Sequence, residues 1–263
     1  QEGDFVQTYT EKGFRGNDKE WESMCIPFGE DAKICLNGVI DRVDLCSLPG
    51  EELIKVIDYK SSDSQDLSLA KVYYGLQMQL LTYLEAAKEM VEKEHKGKEA
   101  VPAAMLYYAI KEKNLDWKPE SEEEYEKRVL DSMKCKGYVN EEPEIIGHLD
   151  KSVVNGGELI PGQKSGVVPV AVDKKGLLKK NSGALSTKDF ETLIAHTKEK
   201  MKECGKAILD GKIEAIPYVY EDNDGCTYCP YGSVCGHESK KDGVREMKKM
   251  SDDEVWEALY GDD

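Results

Sequence analysis

The chain has 263 residues, 52 of them acidic against 36 basic, and a net charge of −16. That length holds one large domain or two small ones. No apolar run is long enough to cross a bilayer and no secretory leader opens the sequence. The acidic balance also excludes a protein that binds nucleic acid through its overall charge, because phosphate contacts draw on Lys and Arg.

Residues 1–30 are polar and read as irregular, with glycines at 13, 16 and 29. Gln1 stands where an initiator Met would, so the sequence reads as a piece of a longer protein. A hairpin is predicted over about 33–60, turning at Leu48-Pro49-Gly50-Glu51. Ser61-Ser62-Asp63-Ser64 then makes a loop, and Ser68 caps a helix whose spacing runs through Tyr73, Leu76, Leu80, Tyr83, Leu84 and Ala87. A strand is expected over 103–110. Ser121 and Glu124 form a capping box for a helix through Met133. Residues 142–187 are rich in loop signals and read as poorly ordered or inserted. A long helix follows over about 188–209, then a cysteine cluster, then a short helix over 252–259 capped by Ser251. This order predicts a mixed α/β sheet flanked by helices, with a helical, cysteine-bearing tail. The division expected is a core over 1–215 and an appendage over 216–263.

The predicted hairpin carries acids where strands prefer apolar residues. A tight turn at Pro49-Gly50 sets Asp41 opposite Asp58 and Asp44 opposite Lys55. Asp41, Val43 and Leu45 then share a face with Ile54, Val56 and Asp58, and Lys60 points to that same face. Facing carboxylates repel unless a cation lies between them. Asp41 is therefore the ligand candidate, and Asp44 the partner of a plain cross-strand ion pair. Two carboxylates and a lysine suit metal-dependent phosphodiester cleavage: Asp41, Asp58 and the backbone carbonyl of Tyr59 would hold Mg²⁺ or Mn²⁺, and Lys60 would orient the attacking water. Gln79 and Tyr83, one helical turn apart, would orient Lys60 or touch a DNA backbone. No phosphate-cradling loop is present, so no ATPase is expected within the chain.

Eight cysteines occur, at 25, 35, 46, 135, 204, 226, 229 and 235. With no extracellular signal, a disulfide framework is not expected. Cys35 and Cys46 read as buried strand residues, and Cys135 and Cys204 as buried residues in or just after helices. Cys226, Cys229 and Cys235 lie close together in a predicted loop, a pattern that favours a metal or cluster over disulfides. His237, nearby, reads as surface. Basic stretches at Lys174-Lys175, Lys179-Lys180 and Lys240 to Lys249 read mainly as solvated surface.

Gly38-Val39-Ile40-Asp41, Ile57-Asp58-Tyr59-Lys60 and Gln79 with Tyr83 resemble the RecB-type branch of the PD-(D/E)xK nucleases. Asp58-Tyr59-Lys60-Ser61-Ser62, Val72-Tyr73-Tyr74-Gly75-Leu76 and Leu81-Thr82-Tyr83-Leu84 are similar to AddB-type nuclease domains. The resemblance covers about 38–235. It implies a restriction-endonuclease-like fold and a Mg²⁺-dependent deoxyribonuclease, of exonuclease type, with Asp41, Asp58, Lys60, Gln79 and Tyr83 as its catalytic set. It further implies single-stranded DNA produced by unwinding, an AddA-like helicase–nuclease partner, a role in recombinational repair of double-strand ends, and the bacterial cytoplasm. Cys226, Cys229 and Cys235 correspond to three ligands of a [4Fe–4S] cluster. The family's fourth ligand lies well upstream of the first catalytic strand, and Cys25 sits too close to Asp41 to fill that place, so the cluster is expected to be incomplete here. A family His or Glu on a helix before that strand also finds no match in 1–37. The alternatives are an iron–sulfur nuclease of the Cas4 type and a non-catalytic module that binds DNA or scaffolds a partner.

Overall fold

A computed structural model of the chain describes residues 3–16, 21–29, 32–61, 66–110, 121–238 and 242–261. The first strand, β1 (Val6–Phe14), is followed by the short hairpin β2 (Met24–Phe28) and β3 (Ala32–Leu36), then by β4 (Gly38–Leu48) and β5 (Glu51–Lys60). Composition predicts an irregular lead-in over 1–30; two strands form there instead. β1 is an edge strand whose first residues face solvent, so its polar side chains cost nothing and its pattern is hidden until Gly13 and Phe14 turn inward. Cys25 and Cys35 are directly opposite in the β2–β3 pair and form a disulfide, which corrects the expectation of free thiols. Cys46 and Cys135 are buried thiols as expected, whereas Cys204 is exposed.

The β4–β5 hairpin has the expected register: Leu48 pairs with Glu51, Asp44 with Lys55 and Arg42 with Ile57. Gly50 takes φ +85°, which only glycine adopts without strain in a Pro-Gly turn. The helix predicted from Ser68 is in fact two. Ser68 caps α1 (Leu69–Tyr73), the chain reverses at Gly75 (φ +77°), and α2 (Gln79–Glu94) starts afresh. Gln77 fixes the break: its side chain accepts from the Ser68 N–H at 2.9 Å and donates to the Asp66 carbonyl at 3.1 Å.

α2 lays Leu80, Leu81, Leu84, Ala87, Met90 and Val91 against the sheet. A fully buried Leu contributes about 1.5–3 kcal/mol, against roughly 0.3–0.5 kcal/mol for an exposed helical ion pair, so this face decides where the helix lies. The next strand, β6 (Glu99–Ala109), runs parallel to β5 and shifts register at Pro102, which cannot donate to the ladder. Beyond it come α3 (Glu122–Ser132), with its Ser121–Glu124 capping box, and β7 (Lys136–Asn140).

The loop-rich stretch 142–187 contains α4 (Pro143–Leu149), the two-residue strands β8 (Val154–Asn155) and β9 (Glu158–Leu159), and β10 (Ala184–Leu185), which joins β7. It is knit into the core rather than loose. Val153, Val168 and Val170 are buried, and Asp150, fully buried, accepts from Ser165 Oγ at 2.6 Å. Scattered turn and bridge bonds between backbone groups, such as Gly162 N–H to the Asp173 carbonyl and Ser165 N–H to the Val170 carbonyl, satisfy this backbone with help from the Asp150, Ser165 and Asp173 side chains, which is why no periodicity announces it. α5 (Thr187–Leu209) closes the first core, with a Ser186–Asp189 capping box and Gly211 at φ +68° just past its end.

The main sheet has the order β1-β4-β5-β6-β7-β10. One face is covered by α1, α2 and α5 over Val43, Leu45, Val56 and Met105, the other by α4 and the 150–170 stretch over Leu53, Ile57, Leu106 and Val139. The layered α/β mixed sheet is the fold class that the sequence predicts. After α5, β11 (Tyr218–Tyr220) pairs with β12 (Asn223–Asp224) and β13 (Arg245–Met247), enclosing α6 (Gly232–Cys235). The last helix, α7 (Asp252–Tyr260), buries Val255 in the first core.

Candidate active site

The open end of the β4–β5 hairpin gathers the predicted acids. Asp41 Oδ2 accepts the Tyr59 backbone N–H at 2.8 Å, so a side chain takes over where the backbone ladder has ended at Arg42 and Ile57. Asp58 is only 3% exposed. Burial pushes its carboxyl above the usual range; Lys60 pulls it down, and nearby Asp41 pushes it up. Lys60 Nζ stands 2.5 Å from Asp58 Oδ2, a close ion pair that offsets the buried charge. A buried carboxylate with its charge compensated, beside a second acid, is the kind of ligand a hard divalent cation takes.

Lys60 is held from three sides. Its ammonium donates to Gln79 Oε1 at 2.9 Å, and it lies 5.2 Å above the Tyr107 ring. Gln79 Nε2 donates in turn to the Tyr83 hydroxyl at 2.9 Å. The helix break at Gly75 makes this chain possible, since it sets Gln79 on the first turn of α2. The Tyr83 ring meets Phe14 edge-on at 6.1 Å, and Phe14 lies against Gly38 across the β1–β4 pair. The glycine of the Gly-x-Ile-Asp run is thus the seat of an aromatic ring.

Tyr107 and Phe14 are two site residues that sequence reasoning missed. Tyr107 pairs with Asp58 across the parallel β5–β6 ladder. Its phenol is pushed up to about 12, first by burial, then by Asp58 and Tyr83, so it stays neutral beside Lys60. The alternation of residues 105–109 carries a faint signal for it, but parallel register has no turn to fix it.

On the other sheet face Asp44 is fully buried, bound by Arg42 at 2.6 and 2.8 Å and by Lys55 at 2.9 Å. The Tyr59 side chain also turns to that side, with its hydroxyl 3.5 Å from Arg42 and its ring edge-on to Tyr108. Register therefore separates Asp41 from Asp44 as the pairing predicts.

Cys226, Cys229 and Cys235 are exposed. Asp224 Oδ1 accepts from the Cys226 and Thr227 N–H groups at 2.9 and 2.7 Å, folding the turn. Among the described residues no group of three or more His, Cys, Asp and Glu is gathered to hold a metal ion. These three thiols fall one short of the four that a [4Fe–4S] cluster takes. Two carboxylates do fit a Mg²⁺ ion, which takes one or two and completes its shell with water. Of the basic stretches, Lys180 pairs with Asp253 and Lys249 with Glu221, while Lys240 lies outside the described residues, as do Ser62, Asp63 and Ser64. No helix among the described residues is long and apolar enough to cross a membrane.

A layered mixed sheet with an acid pair and a lysine at the open end of its central hairpin matches the family model for the PD-(D/E)XK nuclease superfamily over residues 3–236, and the chain belongs to that superfamily. Within it, the chain is similar to proteins named as a component of an ATP-dependent helicase/deoxyribonuclease. The Lachnoclostridium phytofermentans protein is 36% identical over 236 residues, 89% of this chain and 20% of the relative. The Thermoanaerobacter sp. protein is 33% identical over 258 residues, 97% and 21%. The Staphylococcus carnosus protein is 32% identical over 246 residues, 91% and 20%. The chain therefore spans about a fifth of the length of these relatives.

Proposed function

We propose that the chain is the Mg²⁺-dependent nuclease part of a helicase–nuclease, cutting a DNA strand delivered to it by unwinding. The observation that carries this reading is the buried Asp58 carboxylate, near enough to Asp41 to feel its charge and paired with Lys60, in a superfamily of nucleases. Asp41, Asp58 and the Tyr59 carbonyl would hold the ion; when bound, it supplies charge neutralisation for the phosphoryl group and acidifies a coordinated water. Lys60 places positive charge at the scissile phosphate and orients the nucleophile. Gln79 holds the ammonium in line through its amide oxygen, and Tyr83 holds Gln79. Tyr107 lies beneath Lys60, with its ring 5.2 Å from the ammonium.

The relatives' name, a subunit of an ATP-dependent helicase/deoxyribonuclease, supports a partner subunit and ATP-driven unwinding. An AddA-type partner, and a role in processing double-strand ends for recombination in the bacterial cytoplasm, are part of the same proposal. Exonuclease action fits a strand threaded from its end. The test is direct: single-stranded DNA is incubated with the chain and Mg²⁺, and again with Asp58→Ala. Metal-dependent cleavage by the chain and none by the variant is expected. Equal cleavage by both would remove the assigned site.

A further inference from the structure

A cleft of about 360 Å³ opens beside Lys60, where Gln79 and Tyr107 line it, and reaches the β11–β12 turn, where Tyr218, Asn223 and Tyr228 form a second wall. Nothing in the mechanism above uses that wall. Tyr228 is 92% exposed, a full aromatic face left in solvent at the rim. Its position is built: Asp224 folds the turn by accepting from the Cys226 and Thr227 N–H groups and from the Thr227 hydroxyl, all on Oδ1. Those bonds hold the Asp224 carboxyl below its ordinary value. Lys71 also lines the cleft; among the described residues it makes no salt bridge, and its charge acts weakly on Glu221. In a chain of net charge −16, this cleft brings together two lysines, Lys60 and Lys71, one carboxylate, Asp224, and an exposed aromatic ring.

We infer that this cleft seats one unpaired nucleotide next to the scissile phosphate, with its base stacked on Tyr228 and its phosphate beside Lys71. Resting on the nuclease reading above, this makes the cysteine-bearing turn a determinant of single-strand preference. An aromatic face stacks any base, but only a base free of its pairing partner can reach it. Asp224, in the turn that carries the ring, favours a base over a phosphate there, and the lysines favour the reverse on their side. A volume near 360 Å³ lies within the range of small-ligand sites, enough for one nucleotide and too little for a base pair with both backbones.

The test uses a fluorescein-labelled thymidine 12-mer and a duplex of equal length, with binding read by anisotropy in EDTA and cleavage read in Mg²⁺. Tyr228→Ala should weaken single-strand binding about tenfold, the effect of one lost stack, and change duplex binding little. Its KM for cleavage should rise more than its kcat falls. Tyr228→Phe, which keeps the ring, should bind like the wild type, and Lys71→Met should weaken binding and lower its salt dependence. If the wild type cuts and binds single strands while Tyr228→Ala binds them equally well, the inference fails and the nuclease reading stands. If the wild type neither binds nor cuts, both fall, and the wild-type lane alone reveals it. Weaker binding by Tyr228→Phe equal to that of Tyr228→Ala would also refute stacking.

Discussion

Gly38→Ala tests whether the aromatic seat beneath the site matters. A Cβ on Gly38 would stand 2.6 and 2.7 Å from Cζ and Cε1 of Phe14, and 3.5 Å from Cε1 of Tyr83. Phe14 is 1% exposed, so its ring cannot swing into solvent. Overpacking of this kind costs about 2 kcal/mol. At roughly 2–4 °C per kcal/mol for a chain of this size, the melting temperature should fall by about 4–8 °C. The displaced ring also pushes Tyr83, and through Gln79 the Lys60 ammonium, so cleavage should fall further than the folded fraction does. Thermal melts and cleavage rates are measured for Gly38→Ala, Phe14→Leu and the double variant. The smaller leucine should relieve the clash, leaving the double variant less destabilised than the two singles added by about 1 kcal/mol or more. A Gly38→Ala protein that melts with the wild type, or a strictly additive double variant, would show that the ring is not confined as described.

Mg²⁺ should raise the melting temperature of the wild type, since a ligand at a hundredfold its Kd stabilises by about 2.7 kcal/mol; Asp41→Asn and Asp58→Asn should lose that increment, and an equal increment in both would place the ion elsewhere. Asp44→Asn leaves Arg42 and Lys55 without their shared carboxylate. Urea unfolding should show a loss of about 3 kcal/mol, the low end for a broken buried pair because both cations reach solvent. Glu52 supplies a pH signature. Burial raises its carboxyl, but Ser47, Lys98 and His95 outweigh that and hold it below its ordinary 4.5. Its contribution is present above pH 4.5 and lost as pH falls through the lower folded value, so Glu52→Gln should flatten the acid limb of wild-type stability between about pH 5 and 3. An unchanged acid limb would show that Glu52 gains nothing from its partners.

The site was legible where local rules fix geometry. Pro49-Gly50 sets a turn, the turn sets a register through Arg42 and Ile57, and strand alternation puts Asp41 and Asp44 on opposite faces and Lys60 on the face of Asp58. Gln79 and Tyr83 follow from helical spacing, although the helix that carries them starts later than its apolar pattern suggests. That pattern runs through Gly75 without a break, because Leu76 and Met78 are also packed on the core. What the sequence hid depends on distant partners. β1 reads as polar because an edge strand buries little, Tyr107 reaches Lys60 only through a parallel pairing, and Cys25 meets Cys35 only once β2 and β3 are known to pair. The 142–187 stretch conceals its order because its backbone bonds are scattered turns and isolated bridges rather than one long ladder, braced by Asp150 and Ser165.

The bond from the Tyr59 N–H to Asp41 Oδ2 gives the hairpin a built-in gauge. That amide is tied not to the backbone of the neighbouring strand but to a side-chain carboxylate that an incoming cation would claim. Whatever draws electron density from the Asp41 carboxylate weakens the hold on a single backbone proton. Hydrogen exchange or the chemical shift at one residue would then report occupancy of the centre directly, in a protein that need not turn over to be read.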